Sequence, residues 1–226
     1  LLENYRPISL LNSIYKIFAK ILCNRIQQTI DPELQPTQFG FRKKRGAAHA
    51  IHCVRRILAQ ARDSPSANII LLLDWEKAFD KLTHEALFQA LERLNLPDKL
   101  INLIKMLYND PTFEVTIDSH TSGKYQQSSG IRQGCPLSPY LFLLAMTALF
   151  HDVHHAELED CLSITSTSQA LANKLPTTRT ALNANFSEIL YADDTVCITN
   201  DMKAMQIHLN NIQKVGEAYG FKLNQK

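Results

Sequence analysis

Two adjacent aspartates, Asp193 and Asp194, have the side chains and the setting to bind divalent metal ions. They end the tetrapeptide Tyr-Ala-Asp-Asp at 191–194 and lie between two short apolar runs, at 186–190 and 195–199. Short apolar runs on both sides of a polar step are typical of a β-hairpin. The sequence therefore predicts two neighbouring carboxylates at or near the tip of a hairpin.

A third carboxylate, Asp74, directly follows a five-residue apolar run at 69–73, which is typical of a buried strand. An unpaired charge is costly to bury, so an aspartate at this point needs a partner or a cation. Asp74 alone could cap the next segment, and Asp193 and Asp194 alone could be ordinary turn residues. Three strand-end carboxylates together favour a metal site.

Such a site would suit Mg²⁺, because Mg²⁺ prefers oxygen ligands and keeps water or substrate phosphate in its octahedron. Two ions roughly 3.5–4 Å apart can activate an attacking hydroxyl and stabilise the leaving group. Phosphoryl transfer needs positioning and charge neutralisation more than covalent chemistry from the protein. The three aspartates thus predict a two-metal phosphoryl-transfer site, with Mn²⁺ as a substitute for Mg²⁺.

The composition argues against several other classes of protein. A length of 226 residues with 45% hydrophobic content suffices for one large domain or two subdomains with a common core. No apolar run reaches the roughly 18 residues of a membrane span, and the N-terminus lacks the features of a signal peptide. Because the sequence opens without Met and in mid-pattern, we expect a segment of a longer protein.

The five cysteines are scattered and show no Cys-x-x-Cys spacing, which argues against zinc ribbons and disulfide frameworks. This usage favours a reducing, intracellular compartment, with most of the thiols buried as small hydrophobic groups. The five are Cys23, Cys53, Cys135, Cys161 and Cys197.

The formal net charge is only +2, but positive charge is concentrated between Phe41 and Arg62, where there is no Asp or Glu. The field of such a stretch suits phosphate. A solvated helix face is an equally good interpretation of a basic run taken alone. The cations are Arg42, Lys43, Lys44, Arg45, Arg55, Arg56 and Arg62, with His49 and His52 among them.

Helices and hairpins alternate irregularly along the chain. A hairpin is predicted with arms at 113–118 and 124–128, and a long surface loop or insertion at 163–187. This pattern lacks regular β-α-β alternation and predicts an α+β fold, with an antiparallel sheet and helices packed on one face. Apolar spacing predicts helices at 10–30, 47–61, 84–94, 98–108, 138–155 and 202–219.

The sequence resembles the reverse transcriptase domain of non-LTR (LINE-type) retrotransposons and, more distantly, the reverse transcriptases of group II introns. Five blocks carry the resemblance in the family's order and span nearly the whole chain. The last three in this order are highly specific, although any one alone would not be. The blocks are Asn4-Tyr-Arg-Pro-Ile-Ser-Leu10, Gln38-Phe-Gly-Phe-Arg42, Leu73-Asp-Trp-Glu-Lys-Ala-Phe-Asp80, Gly130-Ile-Arg-Gln-Gly-Cys-Pro-Leu-Ser-Pro139 and Tyr191-Ala-Asp-Asp194.

The resemblance implies a right-hand polymerase fold, with fingers at 1–68 and an antiparallel palm at 69–226. A hairpin at about 111–130 would contribute to the fingers, and a loop insertion would occupy about 156–187. The thumb is expected beyond the end of this chain and an endonuclease elsewhere in the full-length protein. The implied reaction transfers a nucleotide from a dNTP to a DNA primer 3′-hydroxyl on an RNA template, in nucleus and cytoplasm, for retrotransposition.

The resemblance also implies the roles of individual residues around the metals. Asp74 and Asp193 would be the main ligands of two Mg²⁺ ions, with Asp194 beside them. The backbone carbonyl of Trp75 would reach the nucleotide-bound metal.

For the substrate, the resemblance implies that Phe79 lies under the sugar and leaves no room for a 2′-hydroxyl. The same residue could instead be an ordinary core aromatic. Gln133 and Gly134 would line the nucleotide and template pocket, where glycine allows close backbone approach. Arg42 and Arg45 would reach the triphosphate, although the two lysines between them could serve instead.

Two alternatives stay open at the level of sequence. An intron-encoded maturase would share this domain and carry a splicing domain downstream. A decayed relative would bind RNA without catalysis, and loss of the aspartates would be its signature; all three are present here.

Overall fold

The computed structural model describes residues 6–63, 68–159 and 188–224. Most of the predicted loop insertion therefore lies outside the described residues. The described helices are α1 (Ser13–Ile30), α2 (Ala47–Asp63), α3 (Ala78–Lys81), α4 (His84–Arg93), α5 (Asp98–Leu107), α6 (Ser138–Glu159) and α7 (Met202–Ala218). The strands are β1 (Ile69–Leu73), β2 (Thr112–Phe113), β3 (Thr116–Ile117), β4 (His120–Thr121), β5 (Tyr125–Gln126), β6 (Glu188–Tyr191) and β7 (Asp194–Thr199).

The longer predicted helices are confirmed to within a few residues, because their end signals are local. The Asn12 side chain accepts a hydrogen bond from the Tyr15 amide at 2.8 Å and caps α1. Asp31 and Pro32 end the same helix in a short 3₁₀ turn. Helix α7 stops before Gly220, which adopts a φ of +87° that only glycine takes without strain.

Helix α6 forms the centre of the main core. Every residue from Tyr140 to Met146 is buried, as the long apolar run predicts. The helix packs against α4 on one side and α7 on the other. No helix in the described part of the chain is long and apolar enough to cross a membrane.

The main described sheet has three antiparallel strands in the order β1-β7-β6. The register pairs Ile69 with Thr199 at one end of the β1-β7 ladder and Leu73 with Thr195 at the other. Strand β6 pairs with the other edge of β7, from Glu188 opposite Cys197 to Tyr191 opposite Asp194. The predicted antiparallel arrangement is therefore confirmed.

The prediction that helices cover one face of this sheet is wrong, because helices pack on both. Leu71 and Cys197 face the main core, whereas Ile189 and Ile198 form a second apolar cluster with Ile57 of α2. The reason lies in the strands, which are apolar at successive positions and can bury both faces.

The predicted central hairpin exists, but its turn is tighter than expected. Its outer strands β2 and β5 pair with each other, and β3 and β4 pair inside them. The chain reverses between Ile117 and His120, with Asp118 at a φ of +52°. The expected loop at 119–123 therefore loses His120 and Thr121 to strand β4, because an aspartate tolerates this left-handed backbone.

Candidate active site

The two adjacent aspartates flank the turn that joins β6 to β7. Tyr191 and Asp194 form the last pair of the ladder, so Ala192 and Asp193 make a two-residue turn. Ala192 adopts a φ of +57°, which matches the primed turns that short hairpins favour. Asp193 is half-buried and Asp194 is exposed. The hairpin predicted from the sequence is confirmed, with its tip at these residues.

A glutamine from the loop after α1 holds this turn in place. Gln38 is buried, and its side-chain oxygen accepts a hydrogen bond from the Ala192 amide at 2.8 Å. Its side-chain nitrogen donates to the Ala192 carbonyl at 3.1 Å. Gly40 lies against the same turn, where any Cβ would collide with the Ala192 backbone. The loop thereby fixes Ala192, the strained residue that directly precedes Asp193.

Asp74 reaches the turn through the register of the sheet. Because Leu73 pairs with Thr195, the residue that directly follows β1 lies beside the start of β7. Asn224 donates a side-chain hydrogen bond to the Asp74 carboxylate at 2.9 Å, and its amide donates to the Asp74 carbonyl at 2.8 Å. Asn224, which lies 150 residues further along the chain, therefore fixes both this carboxylate and its backbone.

Trp75 anchors the chain immediately after Asp74. Its indole N–H donates to the Thr195 hydroxyl at 3.3 Å, and its ring packs on Phe221 with centroids 5.5 Å apart. The side chain is buried, which suits a structural role for the ring and leaves the predicted role of its carbonyl untouched.

Asp74 and Asp193 line one large cavity of about 1090 Å³. Asp194 does not line it, so the structure brings together two of the three predicted carboxylates. Six of the predicted site residues share the lining with further charged side chains. The predicted residues are Asp74, Asp193, Trp75, Phe79, Gln133 and Gly134, and the charged neighbours include Arg6, Lys77, Asp80, Arg132 and Lys222.

Negative charge accumulates at the turn. Burial raises the pKa of the Asp193 carboxyl above its ordinary value, and the charges of Asp194 and Asp74 raise it further. The guanidinium of Arg6 acts in the opposite direction. A carboxylate under this repulsion is one that a bound cation would relieve.

The donor set fits an open Mg²⁺ site. Among the described residues, no three His, Cys, Asp or Glu side chains are grouped so as to hold a metal alone. Mg²⁺, however, is usually bound by one or two carboxylates, with substrate phosphates and water completing the octahedron. Asp74 and Asp193 can supply those carboxylates, and the cavity has room for a ligand that supplies the rest.

Phe79 lies in the cavity wall and also packs on the core. Its ring stacks on Phe142 with centroids 4.3 Å apart and an interplanar angle of 14°. Phe41 meets it edge-on at 6.2 Å. The two interpretations drawn from the sequence, a core aromatic and a surface under the ligand, are therefore compatible.

Gln133 and Gly134 form a neighbouring part of the wall. The Gln133 side-chain nitrogen donates to Asp80 at 2.8 Å, and its carbonyl accepts from the Ser9 amide at 2.8 Å. Gly134 has a φ of +105°, and a Cβ there would lie 2.9 Å from the Ser9 carbonyl oxygen. Glycine is therefore required at this position by the packing of the N-terminal segment.

Arg42 and Arg45 do not line the cavity. The buried guanidinium of Arg42 pairs with Asp31 at 3.1 Å and also donates to the Gln35 carbonyl at 3.1 Å. Arg45 donates to the Pro36 carbonyl, and its guanidinium lies 5.6 Å from the centre of the Phe39 ring. Both arginines hold the loop that carries Gln38, and their contact with a triphosphate stays a prediction.

Sequence reasoning missed several residues that build the site. Gln38 and Arg6 fall within blocks that carry the resemblance, but no local pattern ties them to the distant turn. Asn224 lies in a short polar ending with no motif. Only the long-range fold places these side chains beside Asp193 and Asp74.

Comparisons with known proteins give the same family from sequence and the same fold from structure. The family model described as "Reverse transcriptase (RNA-dependent DNA polymerase)" matches residues 2–226. The RNA-directed DNA polymerase from mobile element jockey of Drosophila melanogaster is 25% identical over 233 residues, covering 98% of this chain and 22% of that protein. The transposon TX1 uncharacterized 149 kDa protein of Xenopus laevis is 29% identical over 219 residues, covering 97% and 15%.

The chain thus spans less than a quarter of the length of these relatives. Among solved structures, telomerase from Candida albicans in complex with a fragment of telomeric RNA superposes with a TM-score of 0.58. It is 14% identical, and the match covers 94% of this chain and 33% of telomerase. At this identity the likeness shows a shared fold of helices and small antiparallel sheets.

The hydrogen bonds of Gln38 to the turn give a direct prediction. Gln38→Leu should lower the free energy of unfolding by about 2 kcal/mol, because it leaves both polar groups of buried Ala192 without these partners. Thr37→Val is the matched control, since the Thr37 hydroxyl is buried in the same loop without a hydrogen-bond partner. Urea unfolding followed by circular dichroism measures both, and equal stability of the two variants would contradict the role of Gln38.

Proposed function

The chain belongs to the reverse transcriptase (RNA-dependent DNA polymerase) family, and from this premise we propose that it forms the catalytic core of an RNA-directed DNA polymerase from a non-LTR retrotransposon. The substrates are a DNA primer 3′-hydroxyl, an RNA template and dNTPs. One observation carries the proposal: Asp74 and Asp193, which are 119 residues apart in sequence, line the same cavity as Phe79 and Gln133. Its biological use would be copying the element's own RNA.

The proposed division places the fingers at 1–68 and the palm at 69–226, with the hairpin at 111–130 contributing to the fingers. On this division, the three-stranded sheet and its Asp-bearing turn would belong to the palm. The basic helix α2 packs on that sheet through Ile57 and presents Arg55 and Arg56 to solvent. This exposed positive surface suits the phosphates of a template strand.

In the proposed site, Asp74 and Asp193 would hold two Mg²⁺ ions, with Asp194 close by. When bound, the ions would lower the pKa of the primer hydroxyl and neutralise the leaving pyrophosphate. Asn224 and Gln38 keep the two carboxylate-bearing backbones at fixed positions, so little reorganisation is needed as charge develops.

The sugar is selected at Phe79 in this proposal. The ring is fixed between Phe142 and Phe41, so it cannot easily yield to a larger ligand. A rigid ring under the sugar would exclude a 2′-hydroxyl and favour deoxyribonucleotides. Gln133 and Gly134 complete the wall against the nucleotide and template, while the backbone carbonyl of Trp75 is assigned to the nucleotide-bound metal.

The proposed metal site gives a prediction for Asp193. Asp193→Asn in the full-length protein should reduce primer extension with Mg²⁺ or Mn²⁺ to below about one-hundredth of the wild-type rate, because a neutral amide is a poor Mg²⁺ ligand. Asp98→Asn, an equivalent exchange on the exposed start of α5, is the control. Normal extension by Asp193→Asn would reject the assignment.

Primer extension by the wild type, together with an RNA-binding assay, separates the polymerase from a decayed relative that only binds RNA. If the wild type were such a relative, it would bind RNA equally well in EDTA and in Mg²⁺ and would never lengthen a primer. An intron maturase would extend primers as proposed here, so a splicing assay on the full-length protein distinguishes it.

The proposed selection of the sugar gives a prediction for Phe79. Phe79→Ala should lower the ratio of kcat/KM for dNTP over rNTP by at least about tenfold, while Phe79→Tyr, which keeps the ring, should preserve the ratio. The loss of stacking on Phe142 should lower the stability of the protein and so the fraction that is folded. The ratio of the two kcat/KM values is independent of that fraction. An unchanged ratio in an active Phe79→Ala protein would refute the gate.

A further inference from the structure

Two segments of the cavity wall are held tightly together. The Ile131 amide donates to the Phe79 carbonyl at 2.8 Å, and the Gly130 amide donates to the Leu82 carbonyl at 2.7 Å. The Ser129 hydroxyl donates to the Asp80 carbonyl at 3.1 Å. These bonds fix the segment that carries Phe79 against the segment that carries Gln133.

Glycine packing makes this junction closer than any other residue would allow. Gly130 has a φ of +81°, and a Cβ there would lie 2.7 Å from the Asp80 carbonyl oxygen. The backbone of Asp80 is therefore packed against Gly130, and it also lies within the short helix α3. The direction of the Asp80 side chain is correspondingly restricted.

The Asp80 carboxylate makes one specific contact across the junction. It accepts a hydrogen bond from the Gln133 side-chain nitrogen at 2.8 Å, and both residues line the cavity. The backbone of Gln133 is held separately, through the Ser9 amide. What the bond to Asp80 adds is the orientation of the Gln133 amide group.

An ionised carboxylate can only accept hydrogen bonds, whereas a glutamine amide has a donor end and an acceptor end of nearly equal size. Asp80 therefore selects the orientation in which the NH₂ group faces it. The amide oxygen and the second N–H then have fixed directions. Without Asp80 the amide could rotate and present either end to a ligand.

We propose that Asp80 is a positioning residue that fixes the Gln133 amide for recognition of the incoming nucleotide. The inference rests on the proposed function, because it takes the occupant of the cavity to be a dNTP. Asp80 acts through Gln133 and makes no contact with the nucleotide itself. Its removal should therefore raise the KM for dNTP and leave kcat largely unchanged.

A double-mutant cycle in the full-length protein tests this role. Steady-state primer extension is measured for wild type, Asp80→Ala, Gln133→Ala and the double variant. Asp80→Ala should raise the dNTP KM by about tenfold with kcat within threefold, since an aligned amide is lost. In the Gln133→Ala background the same change should add less than twofold.

Two further variants guard against a purely structural effect. Asp80→Ser keeps a polar group but is too short to reach Gln133, so its KM should match that of Asp80→Ala. The serine variant replaces the alanine variant in the cycle if Asp80→Ala does not fold. Gln126→Ala removes a similar Gln–Asp bond of 2.6 Å, to Asp110, outside the cavity. This control should leave KM unchanged.

The outcomes separate the inference from the proposed function. If the wild type fails to extend primers, the polymerase proposal is overturned and this inference with it. If the wild type is active but the Asp80 and Gln133 effects multiply, or the loss falls on kcat alone with a lowered melting temperature, Asp80 is structural. Only a raised KM that disappears without Gln133 supports the positioning role.

Discussion

The antiparallel pairing of β1 with β7 is the interaction on which the site depends. Its register sets Leu73 opposite Thr195 and so brings Asp74 to the turn that carries Asp193. A slip of one residue would turn every side chain of β1 to the other face. Apolar packing on both faces opposes such a slip, because Leu71 belongs to the main core and Ile70 to the cluster under α2.

The turn gains function at a cost in stability. Burial and the neighbouring carboxylates Asp194 and Asp74 raise the pKa of Asp193, so its negative charge costs more free energy than in an exposed aspartate. Ala192 adds a left-handed backbone conformation. The bonds of Gln38 to this residue, and those of Asn224 to Asp74, hold the arrangement against that repulsion. The loop after α1 thus stabilises the turn between β6 and β7.

Local signals predicted most of the fold. Apolar spacing located the helices, and the Asp-bearing hairpin was visible in its flanking apolar runs. The second covered face of the sheet was missed, because an apolar strand does not show what covers it. Motifs singled out Asp74 and Asp193, which line one cavity in the structure, and their role as metal ligands stays a prediction. The placement of Arg42 against Asp31, and the contacts of Gln38 and Asn224, depend on pairings over long sequence distances that no local pattern records.

We propose that Asp74 and Asp193 bind the same metal ions. The most direct measurement is anomalous diffraction from crystals of the full-length protein grown with Mn²⁺, primer–template and a non-hydrolysable dNTP. We expect Mn²⁺ density within roughly 2.1 Å of oxygen atoms from both carboxylates, the distance of a hard-cation site. Mn²⁺ bound away from the turn, or to one carboxylate with the other turned aside, would contradict the account.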